Sequence, residues 1–267
     1  MKIIKELLQE HENYKELIWM LAKMDFKLRY QGSVLGYIWA VLQPLLMFAV
    51  LAVVFGGIFG DSGRGGGVSN YALQLLVALM LFSFFSTGTN AGLNALISKA
   101  QLVTKIYVPR WSIILASTIN SGMIFCMNII VIIIFFILFQ YMPSIQSIIL
   151  SIIFAIALFI VTLSFSLIAA PLVLYFKDLA MIWAVMLQVM FYTLPIIYPL
   201  ETLPTWSHQW VLLNPVAFVI HFTKQSMFEN HYPDLHQTTL FLGLTVAFFI
   251  FSVWSYKKLI PNVAEKV

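Results

Sequence analysis

WSIILASTINSGMIFCMNIIVIIIFFILFQYMPSIQSIILSIIFAIALFIVTLSFSLIAA, residues 111–170, decides the fold class. The stretch holds no Asp, Glu, Lys, Arg or His, and its apolar residues form two runs, 111–139 and 145–170, parted at Tyr141 and Pro143. At about 1.5 Å of rise per residue, roughly 20 residues carry a helix across a ~30 Å hydrocarbon core. Each run exceeds that length, so the stretch predicts two membrane crossings joined by a short turn. The first run is longer than a flat core requires and is expected to tilt or to project beyond the bilayer.

Four more apolar runs flank this pair, at 37–59, 71–96, 179–197 and 239–256, and polar breaks separate them. The glycine-rich break at 60–70 carries Asp61 and Arg64; another is the pair Lys177 and Asp178. The expectation is an all-α integral membrane protein with six transmembrane helices. Composition agrees, since 61% of the chain is hydrophobic and 10% charged, against about 25% charged in soluble domains. Cys126 is the sole cysteine and lies inside an apolar run, which leaves no disulfide framework and no thiolate metal site.

Charge orients the spans. With the N-terminus inside, Lys2, Lys5, Lys15, Lys23, Lys27, Arg29, Lys99, Lys105, Arg110, Lys177, Lys257, Lys258 and Lys266 are cytoplasmic, and only Arg64 and Lys224 are external. Such a bias sets both termini on the cytoplasmic side. The net charge of +4 therefore reads as topology and not as a nucleic-acid surface, which needs its cations gathered on one face.

Residues 1–35 form an expected cytoplasmic interfacial segment and 36–267 the six-span domain. The segment has no cleavable apolar signal. Leu17, Leu21, Met24 and Leu28 recur at helical spacing with Lys23 and Lys27 on another face, the pattern of an amphipathic helix lying along the membrane. Trp19, Phe26 and Tyr30 suit headgroup depth.

Inside the spans, Gln43 and Pro44 interrupt the first, with Pro44 placed to kink it. Asn90, Asn94, Asn120, Asn128 and Gln188 punctuate others. Amides in hydrocarbon face protein or a water-filled cavity, so each is either interhelical glue or the lining of a path. Ionisable residues are absent from the span interiors, which disfavours autonomous ion coupling. Asp178, at the edge of a span, reads as an interface partner of Lys177. The glycines at 63–67 lack the lysine, hydroxyl, strand and helix of a phosphate loop; no catalytic site is expected, and any ATPase has to be a separate chain.

Two connections stand out. Residues 98–110, SKAQLVTKIYVPR, are short, amphipathic and closed by Pro109. They predict a cytoplasmic helix in which Val103, Ile106 and Tyr107 pack on a partner and Lys99 and Lys105 orient the contact. Residues 198–238 hold Pro199, Pro204 and Pro215 around an apolar piece, 211–220, too short to span. They suit a re-entrant or interfacial hairpin divided at Asn214 and Pro215. Aromatic faces stack on sugar rings without a unique polar match, and Tyr71, Phe82, Phe84, Phe85, Phe191, Tyr192 and Tyr198 are candidates for a path or its mouth.

Residues 27–59, KLRYQGSVLGYIWAVLQPLLMFAVLAVVFGGIF, resemble the start of the membrane domain in ABC-2 type permeases, particularly polysaccharide exporters of the O-antigen, capsule or teichoic acid group. Arg29, Tyr30, Ser33, Gly36, Trp39, Gln43 and Pro44 carry the likeness. It is supported by LVTKIYVPR at 102–110 and LNPVAFVIHFTKQSMF at 213–228, and extends over essentially the whole chain. Gln101 stands where the family commonly has asparagine and keeps the amide. The resemblance implies a homodimer of permeases bound to two copies of a separate ATPase that holds ATP and Mg, in a bacterial inner membrane. It implies export of a lipid-linked polysaccharide, with no cofactor in this chain. Arg29 is then a candidate contact for the pyrophosphate or lipid headgroups. An ABC-2 exporter of a drug or small lipid shares this layout, and a non-conducting membrane scaffold is the alternative of another class.

Overall fold

A backbone in hydrocarbon must satisfy its own hydrogen bonds, and the long apolar runs do so as helices. A computed structural model describes residues 2–59, 67–100 and 108–260, and no strand occurs among them. Helix α1 (Lys2–Tyr30) leads through a 3-10 turn at Gly36–Ile38 into α2 (Trp39–Phe59), which continues across Pro44. Then come α3 (Gly67–Leu93), the short α4 (Ala95–Ser98), α5 (Arg110–Leu138), α6 (Ile145–Tyr175) and α7 (Leu179–Thr193). A 3-10 turn at Leu200–Thr202 precedes α8 (Thr205–Leu212) and α9 (Pro215–Lys224), which runs into a π turn at Gln225–Glu229; α10 (Leu235–Leu259) closes the order.

Among the described residues, five helices, α2, α3, α5, α6 and α10, are long and apolar enough to cross a membrane. The expected fifth span, 179–197, is shorter than the sequence pattern suggests. Pro195 restricts the residue before it and lacks an N–H, so α7 stops after 15 residues, about 22 Å of rise. The chain continues through a broken stretch in which Leu194, Ile196, Ile197 and Leu200 are all buried. The hairpin divides where expected: Asn214 caps α9 by accepting from the Val216 N–H at 2.9 Å, and Pro215 takes the first helical position.

The helices share two ends. At one, Tyr14 meets Trp111 with ring centroids 6.2 Å apart, Lys99 pairs with Asp25 at 2.5 Å, and Arg110 donates to the Ile260 carbonyl at 3.1 Å. At the opposite end, Tyr71 donates to the Ile197 carbonyl at 2.9 Å, Tyr141 to the Met227 carbonyl at 2.6 Å, and Ser147 to the Ser226 carbonyl. These are the terminal end and the hairpin end below.

Helix α3 is the hub. Its spanning window is 78% buried, against 17% to 33% for the other four. Against α6, Gly88 and Gly92 form a G-x-x-x-G pair facing Thr162 and Ser166. A Cβ at Gly88 would sit 2.5 Å from Thr162 Cγ2, and one at Gly92 would sit 2.0 Å from Ser166 Oγ. Small residues permit this approach, which supplies the dispersion contacts that hold helices together in lipid. The facing hydroxyls donate into their own helix, Thr162 to Leu158 O at 2.8 Å and Ser166 to Thr162 O at 2.7 Å, so the seam buries no unmet donor.

Helix α1 packs on α5 through Ile18, Leu21 and Ala22, which join Ile113, Ile114 and Ala116 in one buried cluster. Trp19, Met20, Met24 and Leu28 are exposed. The expected apolar stripe is thus divided, with Leu17 and Leu21 facing the bundle and Met24 and Leu28 facing away. Beyond Asp25 the helix is held by an aromatic corner instead, in which Phe26 stacks on Tyr37 at 5.1 Å and meets Tyr30 at 5.5 Å.

Candidate functional site

The face of α3 opposite the glycine seam is built differently. Successive residues turn by about 100°, so Ser83, Thr87, Asn90 and Asn94 fall on one stripe, roughly half a turn from Gly88 and Gly92. Asn90 is exposed and the other three are half-buried, although this helix has the most buried spanning window of the five. Asn94 Nδ2 donates to the Asn90 carbonyl at 3.0 Å. Near the hairpin end the same side is closed, with Leu76 and Met80 fully buried. The chain's own helices therefore leave a polar strip of the central helix uncovered from Ser83 toward the terminal end. A polar strip at membrane depth faces protein or water, not lipid.

The aromatic candidates do not form one set. Phe82 meets Phe191 at 5.5 Å, and Phe191 meets Tyr192 at 5.2 Å; this file ends at an exposed Tyr192. Phe85 packs against Trp183, whose Nε1 donates to Thr89 Oγ1 at 3.1 Å. Phe84 turns the other way, between Phe125 and Phe159. Tyr71 is buried, and Tyr198 donates back to the Thr193 carbonyl at 2.7 Å, fastening the broken stretch after α7.

Arg29 is exposed near the end of α1. Lys99 is engaged by Asp25, which links α1 to the start of the 98–110 connection. Val103, Lys105, Ile106 and Tyr107 lie outside the described residues.

At the hairpin end, Lys224 is not the free loop cation that its external position suggests. It is buried and donates to the Pro195 carbonyl at 2.6 Å, tying α9 to the break after α7. Burial lowers its pKa to about 8, with Glu201 and Glu229 opposing the shift. Burial likewise holds His221 down at about 4; Glu201 opposes this, whereas Lys224, His208 and His231 add to it. Among the described residues, no group of three or more His, Cys, Asp and Glu is placed to hold a metal ion.

Residues 16–228 match the family described as ABC-2 type transporter. This chain belongs to the ABC-2 type transporter family. Its relatives among such transporters include an O-antigen export system permease protein RfbA of Klebsiella pneumoniae, 29% identical, the alignment covering 91% of this chain and 93% of the relative. An RfbA of Myxococcus xanthus is 24% identical over 87% of this chain and 86% of its own. The polysialic acid transport protein KpsM of Escherichia coli is 22% identical over 83% and 88%. The ABC-2 match spans α3, its glycine seam and its polar strip, and it reaches to the π turn of the hairpin. The seam was readable as G-x-x-x-G in an apolar run. The burial of Lys224 and His221 had no signal in spacing or charge.

Proposed function

We propose that this chain is the permease subunit of an ATP-driven exporter that moves a lipid-linked polysaccharide across the cytoplasmic membrane. The carrying observation is the uncovered polar strip Ser83–Thr87–Asn90–Asn94 on the central helix of an ABC-2 transporter. Relatives named for O-antigen export and polysialic acid transport support a glycan as the cargo. A hydroxyl-rich chain slides along amides and hydroxyls that exchange hydrogen bonds with it, and Tyr192 at the end of its aromatic file offers a face for sugar rings.

The terminal end is cytoplasmic in this reading, because Lys15, Lys23, Lys27, Arg29, Lys99, Arg110, Lys177, Lys257 and Lys258 gather there. Helix α7 with the buried stretch after it makes the sixth crossing, its broken part sheltered by protein. Two copies enclose the path, the uncovered strip of each facing the shared interior. Two copies of a separate ATPase, which hold ATP and Mg, act on residues 98–108 from the cytoplasm. Exposed Arg29 meets the pyrophosphate of the carrier or the surrounding headgroups.

The test is coexpression with the ATPase in a host that carries the lipid-linked glycan but cannot export it. Surface glycan is expected to appear, and Asn90→Leu, inserted at the same level, is expected to reduce it about tenfold. Resistance to hydrophobic drugs without surface glycan would reject the polysaccharide reading. Full export by Asn90→Leu would reject the role of the strip.

A further inference from the structure

The segment between α7 and α10 lines an open chamber of about 330 Å³ at the hairpin end, away from the α3 strip. Its polar wall is assembled from Glu201, His208, the pair His221 and Gln225 at the junction of α9 and the π turn, His231, and the Asp234–Gln237 turn. Phe222 and Tyr232 supply aromatic surface. An apolar cleft of about 540 Å³ lies against it and shares Leu212, Phe222 and Gln237, so one wall of the chamber is hydrocarbon-like and the rest is polar.

Several of these groups are held in place. Gln225 Nε2 reaches Glu201 Oε1 at 3.5 Å, His208 Nε2 lies 3.0 Å from the Leu203 carbonyl, and the Asp234 N–H donates to Gln237 Oε1 at 3.3 Å. Tyr232 Oη is fixed 2.9 Å from Ser144 Oγ. His221 differs from them. It is only 7% exposed, borders the chamber, and its ring makes no hydrogen bond among the described residues. Its ring packs edge-on against Phe222 with centroids 5.0 Å apart, and Lys224 behind it is committed to the Pro195 carbonyl.

Charge decides what such a chamber accepts. Two carboxylates, Glu201 and Asp234, and three histidines, His208, His221 and His231, stand in the wall, and no Lys or Arg is among the described residues that line it. A phosphate or pyrophosphate placed here meets like charge, and a cation lacks a set of convergent ligands. A neutral polyol fits both halves. Carboxylate and amide oxygens accept from its hydroxyls, an uncharged imidazole both donates and accepts, and Phe222 and Tyr232 cover the C–H face of a ring. The volume lies at the small end of the roughly 300–1,000 Å³ of ligand sites, suited to a sugar unit and too small for a protein segment.

From this cluster we infer that the chamber is a binding subsite for an uncharged sugar unit of the exported glycan, with His221 and Glu201 as its central polar contacts. The inference rests on the glycan-export reading and adds a holding point on the far side of the membrane. Occupying it while the next stretch advances along the α3 strip opposes backward sliding.

The probe is the host's own neutral glycan, released from its lipid, labelled, and titrated onto the permease–ATPase complex in phosphatidylethanolamine nanodiscs. Glu201→Gln keeps the shape of the wall and is expected to weaken binding about threefold; His221→Phe is expected to weaken it at least tenfold. Inorganic pyrophosphate at equal concentration is expected not to compete. Coelution with the ATPase checks the fold of each variant, and Gln225→Ala replaces either variant that fails this check, with a severalfold loss expected. Wild-type export together with unchanged binding in these variants would overturn the subsite and leave the glycan-export reading standing. Competition by pyrophosphate would overturn it in favour of an anionic headgroup. Absence of wild-type export would remove the export reading, and this inference with it.

Discussion

Replacing Gly92 by Ala tests the seam that positions everything else. The new Cβ would lie 2.4 Å from Ser166 Cβ and 2.0 Å from its Oγ, whereas non-bonded carbon atoms rest at about 3.5–4.0 Å. Rotating Ser166 moves its Oγ but not its Cβ, so α3 and α6 must part by more than about 1 Å. Overpacking of this kind costs about 3 kcal/mol at the upper end of its usual range, and Ala regains about 1 kcal/mol over Gly in a helix. The expected net loss is about 2 kcal/mol, a fall in melting temperature of roughly 4–8 °C for a chain of this length. Ser166→Gly removes both offending atoms and leaves Ser166 Cα at 3.5 Å, an ordinary contact. The double variant Gly92→Ala/Ser166→Gly loses the clash but keeps the helix-propensity gain, and should therefore be more stable than the sum of its parts by about 3 kcal/mol. Thermal unfolding of the four proteins in one detergent measures the cycle. Wild-type stability in Gly92→Ala, or strict additivity in the double variant, would refute the close approach.

Three further outcomes are expected. Asp25→Asn leaves Lys99, whose side chain is 9% exposed, without its counter-charge, and should loosen α1 by about 1–3 kcal/mol; faster amide exchange confined to α1, reversed by exchanging the two charges, is the readout. Tyr107→Asp places a charge in the proposed ATPase contact and should reduce pull-down of the ATPase and glycan export together while the spans stay inserted; normal assembly and export would reject the docking role. The pKa of His221 is about 4 in the fold and about 6.5 unfolded, so between those values the unfolded chain binds more protons. Its stabilising contribution is complete above about pH 6.5 and is lost as pH falls toward 4, by up to about 3 kcal/mol. Thermal unfolding from pH 7 to 4.5 should show that slope in the wild type and a flatter one in His221→Phe.

The five long apolar helices were legible because unbroken apolar runs near 20 residues have few alternatives to a membrane helix. Asn214 and Pro215 announced the division of the hairpin through capping chemistry that operates over three residues. The end of α7 was overrun because Ile196 and Ile197 extend the apolar run, while Pro195 between them and the helix decides the backbone. Inward and outward aromatics could not be sorted in α3, since a helix buried on most sides shows little periodic contrast; Phe82 and Phe84 differ by two positions and face different neighbours. Gly88 and Gly92 form a readable pair, but their partners Thr162 and Ser166 lie far along the chain, where spacing carries no information. Lys224 looked like a surface cation because one sequence does not reveal that Pro195 offers it a carbonyl.

The opposed faces of α3 also bear on how such a chain diverges. The close packing of α3 on α6 depends on Gly88 and Gly92, whereas the polar strip is half a turn away. Substitutions on these two faces should act almost independently. Under the proposed role of the strip, a lineage can retune which polymer it carries by exchanging Asn, Ser and Thr on one side of a helix without renegotiating the fold on the other.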